Sequence, residues 1–238
     1  MLFSKEDLRK LIVPLVIEQL LAVTIGMADT MMVANVGEAA VSGISLVDSL
    51  NILLIQIFSA LATGGAVVAS QYLGRQDREN ACGAAKQLVY ACAAISILVG
   101  GLAMLGGKHL LSLIFGAVEP DVMRNAETYF WLSALSYPAL AIYNAGAALF
   151  RSMSNSRVSM MTSIAMNLVN ISGNAILIYV FNMGVAGAGL ASLVSRILGA
   201  VVMMVLLRNR HNLIFIGHLF RYLGRYRLGL ALVLVLAL

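Results

Sequence analysis

Apolar residues run along this chain in six long stretches, at roughly 11–34, 44–70, 85–107, 127–150, 158–181 and 185–207. Each is long enough to cross a bilayer as a helix, which takes about 20 residues. The connections between them are short and leave little room for an extramembrane domain. The pattern predicts an all-α membrane protein, a compact six-transmembrane-helix bundle. The first stretch follows the polar cluster Lys5–Lys10. It is not read as a removable signal peptide, because the apolar run is too long and no small-residue cleavage pattern follows it. The predicted division is a six-helix lobe over 1–210 and a cytoplasmic tail over 211–238 that ends in a short apolar run, Leu228–Leu238.

Composition agrees with that pattern. Of 238 residues, 61% are apolar and 11% are charged, and the mean hydropathy is +0.91. A soluble domain carries roughly 25% charged residues, so this chain could not cover its surface in water. The shortage excludes an ordinary soluble enzyme, a disordered tail and a nucleic-acid module. Thirteen Met and 21 Gly, with three Pro and one Trp, suit helices in lipid. Cys82 and Cys92 share one helical stretch, about 15 Å apart along its axis, too far to form a disulfide.

The net charge of +5 matters less than where the charges fall. Lys5, Arg9 and Lys10 precede the first span, and Arg75, Arg78 and Lys86 join the second to the third. Arg151 and Arg157 join the fourth to the fifth, and Arg208, Arg210, Arg221, Arg225 and Arg227 follow the sixth. Only Lys108 and Arg124 fall on the opposite side, and Arg196 lies within the sixth span. Basic residues mark the cytoplasmic face, so both ends of the lobe are expected inside the cell. These residues come singly in short loops rather than in a run, which favours topology setting over a specific lipid or nucleic-acid patch.

Ionisable groups within spans are costly in lipid and are functional candidates by default. Four stand out: Glu18, Asp29, Asp48 and Arg196. Glu18 and Asp29 are 11 residues apart in the first span. That spacing puts them within about 20° of one helical face and about 16 Å apart along the axis. They would line one side of a cation or proton pathway, with Asp29 the stronger candidate and Glu18 equally consistent with snorkelling. Asp48 is expected near the start of the second span, where hydration at the interface accounts for it. Arg196 is expected to have a carboxylate or carbonyl partner that the sequence does not name.

In the fifth span, Asn167, Asn170 and Asn174 share one face, and Ser163 extends the stripe by a turn. Three carboxamides facing lipid would go unpartnered, so the stripe must face inward. Pro14 and Pro138 fall inside the first and fourth spans and are expected to kink them. Tyr137, Tyr143 and Asn144 cluster around the second proline. Paired glycines in the second and third spans permit close helix contact. No phosphate-binding loop, paired-histidine metal site or Ser-His-Asp arrangement is found. An ATP-driven pump or membrane protease is thereby disfavoured, which leaves an ion gradient as the energy source and no enzyme activity or cofactor.

Several segments together resemble the multidrug and toxic compound extrusion (MATE) transporters. They are Pro14 with Gly26-Met27-Ala28-Asp29-Thr30-Met31-Met32-Val33 and Gly37-Glu38-Ala39-Ala40, and Ala69-Ser70-Gln71-Tyr72-Leu73-Gly74-Arg75-Gln76-Asp77. Tyr129 to Arg151 with Pro138, and Gly184-Val185-Ala186-Gly187-Ala188-Gly189-Leu190-Ala191, complete the set. The resemblance implies an exporter in a bacterial inner membrane. It would exchange amphipathic, often cationic compounds for Na⁺ or H⁺. It further implies that Asp29 binds the coupling cation or proton together with Asn170 and Asn174. Glu18, Asn167, Tyr143 and Asn144 are weaker candidates for the substrate cavity.

Some branches of that family carry a second acid in the fifth span, where this chain has Asn174. That departure weighs against a purely proton-driven carboxylate pair. A polysaccharide-precursor flippase of the same superfamily is the alternative transporter, and a non-functional half-transporter remnant the alternative of another kind. The family has twelve spans in two lobes, so these 238 residues look like one lobe. A truncated reading is expected over a second lobe supplied by another chain.

Overall fold

A computed structural model describes residues 5–116 and 118–217. They contain six α-helices and no strand: α1 (Lys5–Ala34), α2 (Glu38–Gly74), α3 (Arg78–Phe115), α4 (Pro120–Ser152), α5 (Ser156–Asn174) and α6 (Gly184–Leu207). A π-helical segment, Ala175–Val180, extends α5 directly from Asn174. The helices of the middle spans outrun the apolar stretches at both ends, because polar residues continue and cap them. At α3, the Asp77 carboxylate accepts from the Asn80 backbone N–H at 3.1 Å and from its side-chain amide at 2.6 Å. This N-cap satisfies an otherwise orphaned helical donor. The α1–α2 turn rests on Gly37 at φ 138°, a conformation that a side chain disfavours.

Among the described residues five helices are long and apolar enough to cross a membrane, and α4 is more polar than these. It carries Asp121, Arg124, Glu127, Ser133, Ser136 and Asn144, which dilute its apolar character. The bundle explains why such a helix is tolerated. α4 runs through the middle, packed against α2, α3 and α6, so Ser133, Ser136 and the Asn144 amide meet protein rather than lipid, while Asp121 and Arg124 are exposed near its start.

The packing is that of a lipid-soluble bundle. Large apolar side chains such as Leu20, Met31, Leu53, Leu105 and Val205 point outward. The interior is rich in small residues, including Ala134, Ala141, Ala145 and Ala148 of α4. Lipid offers helices no hydrophobic reason to associate, so close backbone approach carries the contact. One such approach meets the α4 proline. Pro138 leaves the Ala134 carbonyl without its usual helical donor. Gly100 of α3 lies against that carbonyl, and a Cβ there would come within 2.9 Å of the oxygen.

α1 is peripheral and packs chiefly on α5 rather than on α2, its chain neighbour. After α6 the described chain folds back beneath the predicted cytoplasmic end. Arg78 donates to the carbonyls of Arg210, Asn212 and Leu213 at 2.7–3.1 Å and stacks over Phe215 at 5.4 Å. Ile214 and Ile216 are fully buried there. The start of the predicted tail is thus docked. The apolar run Leu228–Leu238 lies outside the described residues.

Candidate functional site

The α1–α5–α6 contact brings Asp29 together with two polar neighbours. Asp29 is 3% exposed, and Asn170 and Asn174 are completely buried. The Asn174 amide donates to Asp29 Oδ1. Ser192 of α6 links the remaining parts: its hydroxyl accepts from the Asn170 amide at 3.0 Å and donates to Asp29 Oδ2 at 3.4 Å. Asn174 is also the last residue before the π-helical segment. A change of helical winding so close to a buried polar group is common where a helix serves a site.

The Oδ1 atoms of Asn167, Asn170 and Asn174 are buried without a hydrogen-bond partner. Buried acceptors of this kind are rare and need an explanation such as an ordered water or an ion. Asp29 contributes carboxylate oxygens beside those of Asn170 and Asn174, so the donor set there is oxygen throughout. It suits a hard cation or a proton.

Glu18 forms a second, separate cluster lower in the bundle. It accepts from the Ser159 hydroxyl at 2.9 Å, the Tyr143 hydroxyl at 3.2 Å and Arg151 Nη1 at 3.3 Å. Glu18 and Tyr143 therefore meet, but Asn167 bonds back to the Ser163 carbonyl of its own helix at 2.9 Å. Asn144 Nδ2 is buried without a partner. Pro14 and Pro138 both lie inside continuous helices.

Asp48 lies in α2, which begins at Glu38, and accepts from the Asn51 amide at 3.3 Å beside the buried Tyr129. One sequence expectation needs correction. Arg196 has neither a carboxylate nor a carbonyl as its hydrogen-bond partner. Its Nη1 donates to the Ser136 hydroxyl at 2.5 Å, because α4 presents that side chain directly opposite. Ser192, Asn51, Ser133, Ser136 and Tyr129 were not singled out from the sequence. A signal existed for two of them: Ser192 lies one turn before Arg196, and Asn51 three residues after Asp48, on shared helical faces.

These features define an integral membrane helical bundle with a buried, oxygen-lined polar site. The sequence model of the MatE family matches residues 14–176, and the chain belongs to that family. It is 28% identical over 206 residues to the "Uncharacterized transporter YisQ" of Bacillus subtilis, covering 84% of this chain and 44% of that protein. It is 24% identical over 212 residues to the "Probable multidrug resistance protein NorM" of Thermotoga maritima, covering 87% and 45%. The chain therefore spans about half the length of the curated relatives it matches. Among solved structures, a MATE transporter in the bent conformation superposes with TM-score 0.89 at 18% identity, over 98% of this chain and 51% of that one. A MOP superfamily transporter from Pyrococcus furiosus gives the same figures. The shared fold is that of one transporter lobe.

Proposed function

We propose that this chain is the ion-coupling lobe of an exporter that exchanges amphipathic, often cationic compounds for Na⁺ or H⁺. Asp29 takes the coupling ion, and Asn170 and Asn174 complete its oxygen shell. The observation that carries this reading is the buried Asp29 carboxylate beside carboxamide oxygens that lack partners. A carboxylate in an apolar span is costly while charged and unneutralised. Uptake of one cation removes that cost, and the same event changes how α1 packs on α5 and α6. Pro14 and Pro138, which each remove a backbone hydrogen bond, provide positions at which α1 and α4 can bend. Glu18, Tyr143, Asn144 and Asn167 line the substrate path below the ion site. In this reading the lobe works opposite a second lobe, of its own or of another chain.

The test is export of ethidium or norfloxacin from efflux-deficient cells carrying the transporter, with and without Asp29→Asn. The variant should reach the membrane at normal levels and lose cation-driven export. Unchanged export by Asp29→Asn would refute the assignment.

A further inference from the structure

α6 presents two polar residues, one turn apart, to two different neighbours. Ser192 donates to Asp29, and Arg196 donates to Ser136 of α4. From Ser136 a chain of contacts leads away from Asp29. The Ser136 hydroxyl bonds the Ser133 carbonyl at 2.6 Å, and the Asn51 amide donates to the Ser133 hydroxyl at 3.2 Å and to Asp48 at 3.3 Å. The Tyr137 hydroxyl donates to Asn51 Oδ1 at 2.9 Å, with its ring tilted against Phe58. Asn51, Ser133, Ser136 and Tyr137 are all buried. This second network joins α2, α4 and α6, and the ion-coupling reading does not use it.

Arg196 lies one turn from Ser192, which bonds Asp29, and its partner Ser136 leads through Ser133 and Asn51 to Asp48, so the guanidinium stands between the two carboxylates, within electrostatic range of both. The other ionisable groups facing them are Tyr129 and Tyr137 of α4. α5 contributes only the amide of Asn174 to Asp29. Two carboxylates and one guanidinium leave a single uncompensated negative charge in an apolar environment. One monovalent cation makes the set neutral.

We propose that Arg196 is an internal counter-cation shared between Asp29 and Asp48. It competes with the coupling cation for Asp29, and Asp48 weakens that competition by holding part of the guanidinium's field. Arg196 and Asp48 are thus positioning residues that set cation affinity without touching the ion. The proposal rests on Asp29 being the coupling site.

The test is the rise in thermal unfolding temperature of the full chain in lipid nanodiscs as a cation is added. Na⁺ is titrated at constant ionic strength with choline, and H⁺ is titrated separately in Na⁺-free buffer. Asp29→Asn identifies the part of the response that belongs to Asp29. Charges at the separations found within a bundle shift affinity by about tenfold. Arg196→Gln should half-saturate at about tenfold lower cation concentration, and Asp48→Asn at about tenfold higher. The double variant should return toward wild type, and Arg196→Lys, which keeps the charge, should stay within about threefold of wild type.

Shifts of Arg196→Gln and Asp48→Asn in the same direction, or none, overturn the proposal and leave the Asp29 site standing. Should Arg196→Gln fail to fold, an unshifted Asp48→Asn overturns it alone. A wild-type response that Asp29→Asn does not abolish overturns the coupling site itself, and this proposal with it.

Discussion

Glu18 and Asp29 stand eleven residues apart on α1, both facing α5, yet their surroundings differ in kind. Glu18 is paired with Arg151 and held by two hydroxyls from α4 and α5. Its charge is matched and its lone pairs are used. Asp29 has an amide and a hydroxyl for partners, carboxamide oxygens left open beside it, and an arginine that bonds elsewhere. One acid is locked into the fold and the other is left in want of a cation. The difference lies in the partners, since the residue type and the helix face are nearly the same.

That contrast is open to direct attack. Asp29→Asn should abolish the stabilisation that Na⁺ or H⁺ confers on the protein. It should leave the cation-free fold as stable as before or more so, because it removes an uncompensated charge. Calorimetric unfolding with and without the cation reads both quantities. Glu18→Gln should do the reverse. It strands Arg151 in a partly buried site, lowering stability by about 1–3 kcal/mol while the cation response persists. Chemical unfolding in detergent measures the first effect and the same cation titration the second. If both variants lost the cation response equally, the two acids would form one site and the contrast would collapse.

A smaller effect is expected at the hydroxyl between α5 and α6. Ser192→Ala removes a donor to Asp29 and the acceptor of the Asn170 amide. It should lower stability by about 1–2 kcal/mol, and it should also weaken cation binding, which distinguishes it from Glu18→Gln. The smallest effect lies outside the membrane, at a third acid with yet another role. Hydrogen bonds from Asn80 hold the Asp77 carboxyl below its usual value of 3.8. A folded-state value below the unfolded one means that the cap contributes fully at neutral pH. Its contribution fades as the pH falls below the ordinary aspartate range and through the depressed folded value. Hydrogen exchange at the first-turn amides of α3 should therefore speed up in acid beyond the intrinsic trend. Asp77→Asn should remove that extra pH dependence.

Much of this architecture was legible in the chain. Long apolar runs placed five of the helices and a more polar one placed α4, and the inward-facing stripe of Asn167, Asn170 and Asn174 followed from their spacing. Asp29 stood out because a carboxylate deep in an apolar run has few reasons to be there. Asp48 and Arg196 were harder. A polar residue near the predicted edge of a span looks solvated when the helix is taken to begin at the apolar residues. Asp48 is held by Asn51, whose other partners, Ser133 and Tyr137, lie 82 and 86 residues away on α4. Arg196 plainly needed a partner, but that partner lies 60 residues away on α4, and no local pattern indicates which helix will lie opposite.

Hydropathy and helical periodicity are local properties, so the sequence by itself determined the spans, the basic face and which residues share a stripe. Tertiary structure alone decided what each stripe meets. It put α5 rather than α2 against α1, made the polar α4 the centre of the bundle, gave Glu18 a directly bonded arginine and turned the Arg196 hydrogen bond toward Ser136 rather than Asp29. Interactions between buried charges depend on distances across helices, and packing sets those distances from residues far apart in the chain.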